Sequence, residues 1–255
     1  SDPSESPMPF DLTILLASAA ILFATHALGG IVAFGSSLLA LPLFLWAGWD
    51  LRPAVAVLVL VGTVQAVHMV WLAGRGADRR ALGTILLWAL PGVPLGFVLA
   101  GLLPERGLQI ALGALLAAAG ASRLAEHASG KRWSPPGWAL KGLLLAGGMI
   151  HAAFGSGGTT LTVYARYALV AKASFRGTLP LMWIALNALV LGGLAVEGQI
   201  DLPVLTAAGA GTPAVLLATM LGQRAAERLS QERFADVVAA LLCLAGAITI
   251  VRNAF

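Results

Sequence analysis

Apolar residues dominate the chain in long runs, which short polar or proline- and glycine-rich stretches separate. Ten of these runs have the character of helices, with approximate cores at residues 12–33, 37–49, 53–73, 82–103, 106–124, 138–154, 159–171, 175–195, 202–221 and 234–252. A helix needs about 20 apolar residues to cross a bilayer, so the second and seventh runs are too short to cross comfortably. The pattern predicts an all-α integral membrane protein, because hydrocarbon admits only structures that satisfy their own backbone hydrogen bonds.

Composition strengthens the membrane prediction. Hydrophobic residues make up 58% of the chain and charged residues only 11%, whereas soluble domains carry about 25% charged residues. The formal net charge is +4, but the basic residues lie in the connections between spans, so we expect no nucleic-acid partner. The single cysteine, Cys243, excludes a disulfide within one chain. No spacing of His, Cys and carboxylates predicts a metal or another cofactor. We therefore expect membrane lipid and a small solute as partners.

The distribution of basic residues predicts an orientation. If the N-terminus lies outside, twelve of the 16 basic residues fall on the inner side, as the positive-inside rule requires of a correct span count. These twelve are Arg75, Arg79, Arg80, Arg123, Lys131, Arg132, Lys141, Lys172, Arg176, Arg224, Arg228 and Arg233. We predict a multi-pass protein of the inner (plasma) membrane with both termini outside. Residues 1–7, "SDPSESP", are predicted to be a non-native addition, with Met8 as the native start.

The two halves of the chain share landmarks. "GGIVAFGSS" (Gly29–Ser37) resembles "GGMIHAAFGSG" (Gly147–Gly157), which is two residues longer. Further along, Gln65 falls opposite Asn187, and the loop "GRGADRRAL" places Asp78 opposite the Asp201 of "EGQIDLPVL". We divide the chain into a first half (8–124), a cytoplasmic connection (125–137) and a second half (138–255). Each half holds five elements, an odd number, which predicts an inverted repeat whose short broken helices meet near the membrane midplane, as in many secondary transporters.

The glycine- and hydroxyl-rich stretches predict a binding site. A helix that begins inside the membrane leaves backbone N–H groups without intrahelical partners, and these groups, together with the helix dipole, attract anions. Glycine lets a ligand approach the backbone, and serine and threonine add hydroxyl donors. The predicted substrate-binding residues of the two stretches are Gly35, Ser36, Ser37, Gly155, Ser156, Gly157, Gly158, Thr159 and Thr160.

Further polar residues within the spans are candidates for the same site. Gln65 and Asn187 are predicted to contact the substrate, or alternatively to join helices by hydrogen bonds. Arg166 is predicted either to contact the substrate or to reach an interface, while His151 and His26 are candidates for proton coupling or gating, or else for packing. No Asp or Glu lies in the middle of a predicted span. Because cation transporters usually hold such a carboxylate, an anionic substrate is favoured.

These residues resemble a known family. The paired F-G-S-[SG] turns, "EGQIDLPVL" with its counterpart "GRGADRRAL", and "KASFRGT" (Lys172–Thr178) are similar to the TauE/SafE family of sulfite and organosulfonate exporters. The resemblance implies export of a small sulfur oxyanion or sulfonate such as sulfoacetate from the cytoplasm, coupled to an ion gradient. The family often places a proline shortly after each glycine turn. Here Pro42 supplies it in the first half only, so we expect the second half to be specialised.

Two other functions compete with a transporter. An anion channel would use the same donors without coupling, and the sequence leaves this alternative open. An intramembrane serine hydrolase would use Ser156 with His151, but these residues are five apart across a helix break, and the G-x-S-x-G elbow has Phe154 at its first glycine position. A hydrolase also gives no reason for a second copy of the turn, so we do not expect an enzyme. The substrate, coupling ion, oligomeric state and transport direction are not defined by the sequence, nor is whether the short helices are re-entrant or spanning.

Overall fold

The computed structural model describes residues 12–32, 36–73, 76–130, 135–169, 171–226, 228 and 231–254. The regular structure in these residues is helical throughout. The helices are α1 (Leu12–Val32), α2 (Ser36–Trp46), α3 (Leu51–Ala73), α4 (Arg79–Ala89), α5 (Gly92–Leu102), α6 (Glu105–Ser129), α7 (Gly137–Phe154), α8 (Gly158–Ala168), α9 (Lys172–Val196), α10 (Leu202–Ala226) and α11 (Gln231–Ala254). Within the described ranges, eight segments are long and apolar enough to cross a membrane, with α4 and α5 together forming one of them. The predicted all-α membrane fold is confirmed.

The predicted element at 82–103 is two helices rather than one, so ten predicted elements become eleven. Helix α4 ends at Ala89 and α5 begins at Gly92, with Leu90 and Pro91 between them. Pro91 has no backbone N–H, and its ring crowds the preceding turn of a helix, so the regular hydrogen-bond ladder stops here. The chain then continues through the Val93 N–H, which donates to the Leu90 carbonyl at 3.1 Å. The prediction of a single helix was wrong because it counted apolar length and gave no weight to this proline.

Helices α1 and α10 lie side by side and run in the same direction. Leu22 packs against Gly211, and two turns further along Gly30 faces Gly222, where a Cβ on Gly30 would stand 3.2 Å from the Gly222 Cα. From the first contact to the second, the residue numbers increase on both α1 and α10, so the two helices are parallel. Because neither glycine carries a side chain, the backbones approach closely, as is common where helices pack in membranes.

Helix α7 packs in the same way on α4 and α5. Gly92 faces Gly148, whose Cα would be 3.1 Å from a Cβ at residue 92, and Gly96 faces Ala152 one turn further along. These contacts again rise together along both helices, so α5 and α7 are parallel. The first helix of each half therefore packs against the fourth element of the other half: α1 against α10, and α7 against α4 and α5. Two related units are expected to pack in this reciprocal way.

The α1–α2 and α7–α8 hairpins point in opposite directions. Arg52 at the start of α3 pairs with Glu197 at the end of α9 at 3.6 Å, which makes these helices antiparallel. At the other end, the Asp78 N–H before α4 donates to the Thr178 hydroxyl near the start of α9 at 2.9 Å. Helix α4 therefore starts at the same end of the bundle as α9, and α10 starts at the opposite end of the bundle. Since α7 is parallel to α4–α5 and α1 to α10, the hairpins are inverted, which supports the predicted inverted repeat.

The two aspartates that align between the halves have the same structural role. The Asp78 carboxylate accepts the Ala81 N–H at 2.9 Å, and the Asp201 carboxylate accepts the Val204 N–H at 2.9 Å. Each therefore caps the N-terminus of the helix that follows it, α4 or α10, by satisfying a donor that lacks an intrahelical partner. The shared motif marks the start of the fourth element of each half.

Basic residues separate between the two ends of the bundle. Arg106 donates to the carbonyls of Asn253 and Ala254 and so caps the end of α11, on the same side as Arg52, because the Glu105 carboxylate accepts the N–H of Leu51. The opposite side holds Arg79, Arg80, Arg176, and Arg123, which pairs with Asp236 at 3.4 Å. This separation agrees with the partition expected from the positive-inside rule.

Candidate functional site

The break between α7 and α8 depends on two glycines with different requirements. Gly155 ends α7 with φ +62°, a left-handed conformation that only glycine adopts freely, and its N–H donates to the His151 carbonyl at 2.8 Å. Gly157 is constrained by space instead. A Cβ there would overlap the Gly147 carbonyl oxygen and stand 2.9 Å from the His151 Cβ. The turn is therefore folded back tightly onto the last turns of α7.

The break lies deep within the bundle. A Cβ on Gly155 would be 3.3 Å from Val59 of α3, and Asn187 of α9 bonds to the same turn through His151. Val59 is eight residues after the start of α3 and Asn187 nine residues before the end of α9. At 1.5 Å per residue, both lie about 12–14 Å from the end that carries Arg52 and Glu197. That depth is close to the centre of a hydrocarbon core about 30 Å thick.

A chain of hydrogen bonds holds the break to α9 and α3. The Gly157 N–H donates to His151 Nδ1 at 3.2 Å, His151 Nε2 lies 2.7 Å from Asn187 Oδ1, and Asn187 Nδ2 donates to the Val59 carbonyl at 3.4 Å. Because Nδ1 accepts a backbone N–H, the proton of a neutral imidazole is on Nε2, which then donates to the amide oxygen. All three contacts are mutually consistent with this tautomer. His151 and Asn187 are both buried.

Donors remain at the start of α8. The first intrahelical bond there runs from the Leu161 N–H to the Gly157 carbonyl, so helix geometry gives no intrahelical acceptor to the N–H groups of residues 158–160. Among the side chains that the structure describes, none caps this N-terminus. The Ser156 hydroxyl, in a side chain only 7% exposed, has no hydrogen-bond partner among the described residues. The turn thus concentrates unpaired donors at mid-depth.

Nothing acidic opposes an anion at this turn. Helices α3, α7, α8 and α9, which surround it, contain no Asp or Glu. The helix dipole adds a partial positive charge at the α8 N-terminus. The turn is therefore suited to a small anion rather than a cation, and the described residues include no cluster of His, Cys and carboxylates that could hold a metal.

Comparison with protein families agrees with this chemistry. The profile of the family described as "Sulfite exporter TauE/SafE" matches residues 17–249, nearly the whole chain. The chain belongs to this family. It is thus a membrane transporter of a family that exports sulfite and related sulfur anions, as the sequence resemblance implied. No curated protein and no solved structure matches the chain.

The remaining predicted residues of this TauE/SafE protein are more scattered. Gly35 lies outside the described residues, as do the side chains of Thr159 and Arg166. Ser36 and Ser37 open α2 and are half-buried, and no hydrogen bond among the described residues links them to the α7–α8 turn. The predicted residues that the structure brings together belong to the second half.

Gln65 and His26, the other predicted amide and histidine, form their hydrogen bonds with residues outside the α7–α8 turn. Gln65 lies six residues beyond Val59 on α3, and its Nε2 donates to the Thr219 hydroxyl of α10 at 2.7 Å. His26 is buried in α1, where its Nδ1 lies 2.9 Å from the Leu22 carbonyl of the same helix. These contacts agree with the alternative roles in helix joining and packing that the sequence left open for both residues.

Two contributors to the site of this TauE/SafE protein escaped the sequence analysis. One is the Val59 carbonyl, which anchors Asn187 and has no sequence signal because it is a backbone group. The other is Trp183 of α9, whose ring centre is 5.3 Å from that of His151. Its signal was available, because residue 183 is one turn before Asn187 and therefore on the same helix face.

Proposed function

We propose that this TauE/SafE protein is a secondary transporter that exports a small sulfur-containing anion, sulfite or an organosulfonate such as sulfoacetate, across the inner membrane by alternating access. One observation carries the proposal: a buried helix N-terminus, that of α8, holds unpaired donors at mid-membrane depth among helices without a carboxylate. An anion there would replace water as the acceptor of these donors, at a place where an unsatisfied N–H is costly.

The substrate would bind mainly to the second half. Ser156 would donate through its hydroxyl group, and Gly158 and Thr160 through their backbone N–H groups, while Gly155 and Gly157 shape the turn that exposes them. The Thr160 hydroxyl itself donates to the Gly157 carbonyl at 3.1 Å. Gly35, Ser36 and Ser37 would supply the matching donors from the first half, with Gln65 and Asn187 at the edges of the path. Thr159 and Arg166 remain candidates for direct contact. Small anions with several oxygen acceptors, such as sulfite, suit this set of donors.

His151 offers a means of coupling transport to protons. Its Nδ1 accepts the Gly157 N–H, which therefore does not face a ligand. Protonation of Nδ1 removes that acceptor and makes the ring a cation with two donors. The Gly157 N–H would then be released to the anion, so that proton and anion favour each other's binding. His26, in the corresponding helix of the first half, would act in gating.

Alternating access is supported by the arrangement of the helices. The two hairpins point in opposite directions and are packed on a central antiparallel pair, α3 and α9. Contacts close both ends of this pair, through Arg52 and Glu197 at one end and the Asp78 N–H and Thr178 at the other. Opening one end while the other stays closed would expose the α8 N-terminus to one side at a time. The end with more cations would face the cytoplasm.

The geometry gives no support to a serine hydrolase. A nucleophilic serine needs a base within hydrogen-bond reach, but both His151 nitrogens bond elsewhere, to Gly157 and Asn187. Substitution separates the two functions. Ser156→Ala would abolish hydrolysis, whereas it would only weaken an anion site that has several donors.

Uptake into proteoliposomes tests the proposal. Vesicles loaded with unlabelled sulfite should accumulate labelled external sulfite by exchange, and the rate should saturate with concentration. Gly157→Ala should abolish exchange because a Cβ overlaps the Gly147 carbonyl, while Gly142→Ala, at an exposed α7 position with nothing within 4 Å, should leave it intact. Non-saturating flux without exchange would identify a channel. No flux of sulfite or any sulfonate would refute the proposal.

A further inference from the structure

Trp183 lies against the start of α8. Its Cζ2 and Cη2 atoms are each 3.7 Å from the position that a Cβ on Gly158 would occupy, and its ring is tilted by 46° to that of His151 at 5.3 Å between ring centres. Its α9 neighbours Met182 and Leu186 are fully buried, whereas Trp183 is only half-buried. The Trp183 ring therefore contacts the start of α8 while part of the side chain stays exposed.

The indole N–H of Trp183 is next to the ring edge that faces α8. Nε1 is bonded to Cε2, which is the ring neighbour of Cζ2, one of the two atoms nearest Gly158. Among the described residues, no acceptor is hydrogen-bonded to this N–H. Tryptophan offers a donor and no acceptor. The ring that contacts the α8 N-terminus, to which we assign anion binding, thus carries a donor without a partner among the described residues.

We propose that Trp183 is a substrate-binding and specificity-determining residue of this exporter. The proposal rests on the proposed function and names its substrate class more narrowly. The indole N–H donates to one oxygen of an SO₃ group held at the α8 N-terminus, and the adjoining C–H edge of the ring covers the fourth substituent on sulfur.

This arrangement selects pyramidal SO₃ groups against tetrahedral sulfate. In a sulfonate the fourth substituent is carbon, which packs well against C–H groups, and in sulfite it is a lone pair. In sulfate it is a charged oxygen, which would meet C–H groups where it needs a donor. Burying an oxygen without a donor is costly. We expect sulfite and short alkylsulfonates to bind about tenfold more tightly than sulfate, a ratio that corresponds to one unsatisfied hydrogen bond.

The test measures dissociation constants of the purified full chain in nanodiscs for sulfite, methanesulfonate, sulfate and chloride at fixed ionic strength. Trp183→Phe keeps an aromatic ring but removes the N–H, so binding of sulfite and methanesulfonate should weaken about tenfold. Trp183→Ala should in addition reduce the preference for methanesulfonate over sulfate, because water can then reach the fourth substituent. Trp71→Phe, in a side chain of α3 that is 80% exposed, is the matched control and should change nothing.

A closer analogue guards against unfolding of these variants. Replacing Trp183 by benzothienylalanine exchanges the N–H for sulfur at nearly constant ring shape, so it should reproduce the loss seen with Trp183→Phe. If the wild type binds these anions and both variants bind them equally well, or if the wild type binds sulfate as tightly as methanesulfonate, the role of Trp183 is refuted while the anion site stands. If the wild type binds none of the anions, both proposals fail.

Discussion

The two glycine turns derive from similar sequences but differ in their surroundings. In the second half, Asn187 is 3% exposed and connects the turn to α3 through His151 and the Val59 carbonyl. In the first half, the Nε2 of the aligned amide Gln65 donates to Thr219 of α10 instead. No hydrogen bond links Gln65 to the described residues of α1 and α2. The two aligned amides therefore form different polar contacts, so similar sequences do not give the two turns the same surroundings.

The difference has a simple origin in the chain. The second stretch is two residues longer than the first, and the extra residues include His151. The position that aligns with Gly157 is Ser37 in the first half, so the close approach of the turn to the preceding helix is required only in the second. The longer stretch thus contains the turn that side chains hold, and it occurs in one half only.

Exchanging the aligned residues should produce the largest effect. Gly157→Ser places a Cβ on the Gly147 carbonyl oxygen and near the His151 Cβ, so we expect it to lower the free energy of unfolding by about 3 kcal/mol and to abolish transport. The reverse exchange, Ser37→Gly, should change the free energy of unfolding by little and should weaken transport without abolishing it, because it removes one hydroxyl donor of several. Thermal unfolding in detergent and sulfite exchange in vesicles measure the two effects. Equal effects of the two exchanges would mean that the turns are equivalent after all.

Removing the histidine should have the next largest effect. His151→Leu leaves the Gly157 N–H and the Asn187 amide oxygen without these partners in a buried place, which should lower the free energy of unfolding by about 2 kcal/mol. Transport should also lose its dependence on pH if His151 carries the coupled proton. His68→Leu, on α3, is the control, because no hydrogen bond of His68 occurs among the described residues. A wild-type pH profile in the His151 variant would refute proton coupling through this ring.

Substitution of each of the two amides should destabilise the protein in proportion to the number of hydrogen bonds that the amide forms. Asn187→Leu breaks bonds to His151 and Val59, whereas Gln65→Leu breaks one bond to Thr219. We expect a loss of about 2 kcal/mol for the first and about 1 kcal/mol for the second. The first should also reduce the affinity for sulfite. A larger loss of sulfite affinity in Gln65→Leu would show that the first half holds the substrate.

The ion pair that spans the halves should matter least for stability. Arg52 and Glu197 are 19% and 36% exposed at 3.6 Å, so solvent screens their attraction and Glu197→Gln should cost about 0.5 kcal/mol. Its effect on transport should be clearer, because weakening one closed end shifts the balance between the two access states. A cysteine introduced at the α7–α8 turn should then be labelled faster by a thiol reagent added on the side that holds Arg52 and Glu197. Unchanged labelling would exclude the pair as a gate.

The sequence by itself determined the class of the protein, its spans and the repeat landmarks. Long apolar runs predict helices, because a helix satisfies its own backbone hydrogen bonds in lipid. The aspartates at 78 and 201 could be aligned because a helix cap is a local feature of the sequence. The sequence predicted that Gly155 and Gly157 interrupt a helix, whereas the reasons why these positions require glycine came from the structure. It missed the break at Pro91, where a local signal was present but apolar length was given more weight.

Only the tertiary structure decided which polar groups share a site. The contacts of His151 with Asn187 and of Asn187 with the Val59 carbonyl join residues 36 and 128 positions apart, and one partner is a backbone group that every residue possesses. The approach of Trp183 to Gly158 likewise depends on how α9 packs on α8. Periodicity and motif spacing describe one helix at a time, whereas a binding site forms where several helices meet, and the packing of their side chains fixes that meeting point.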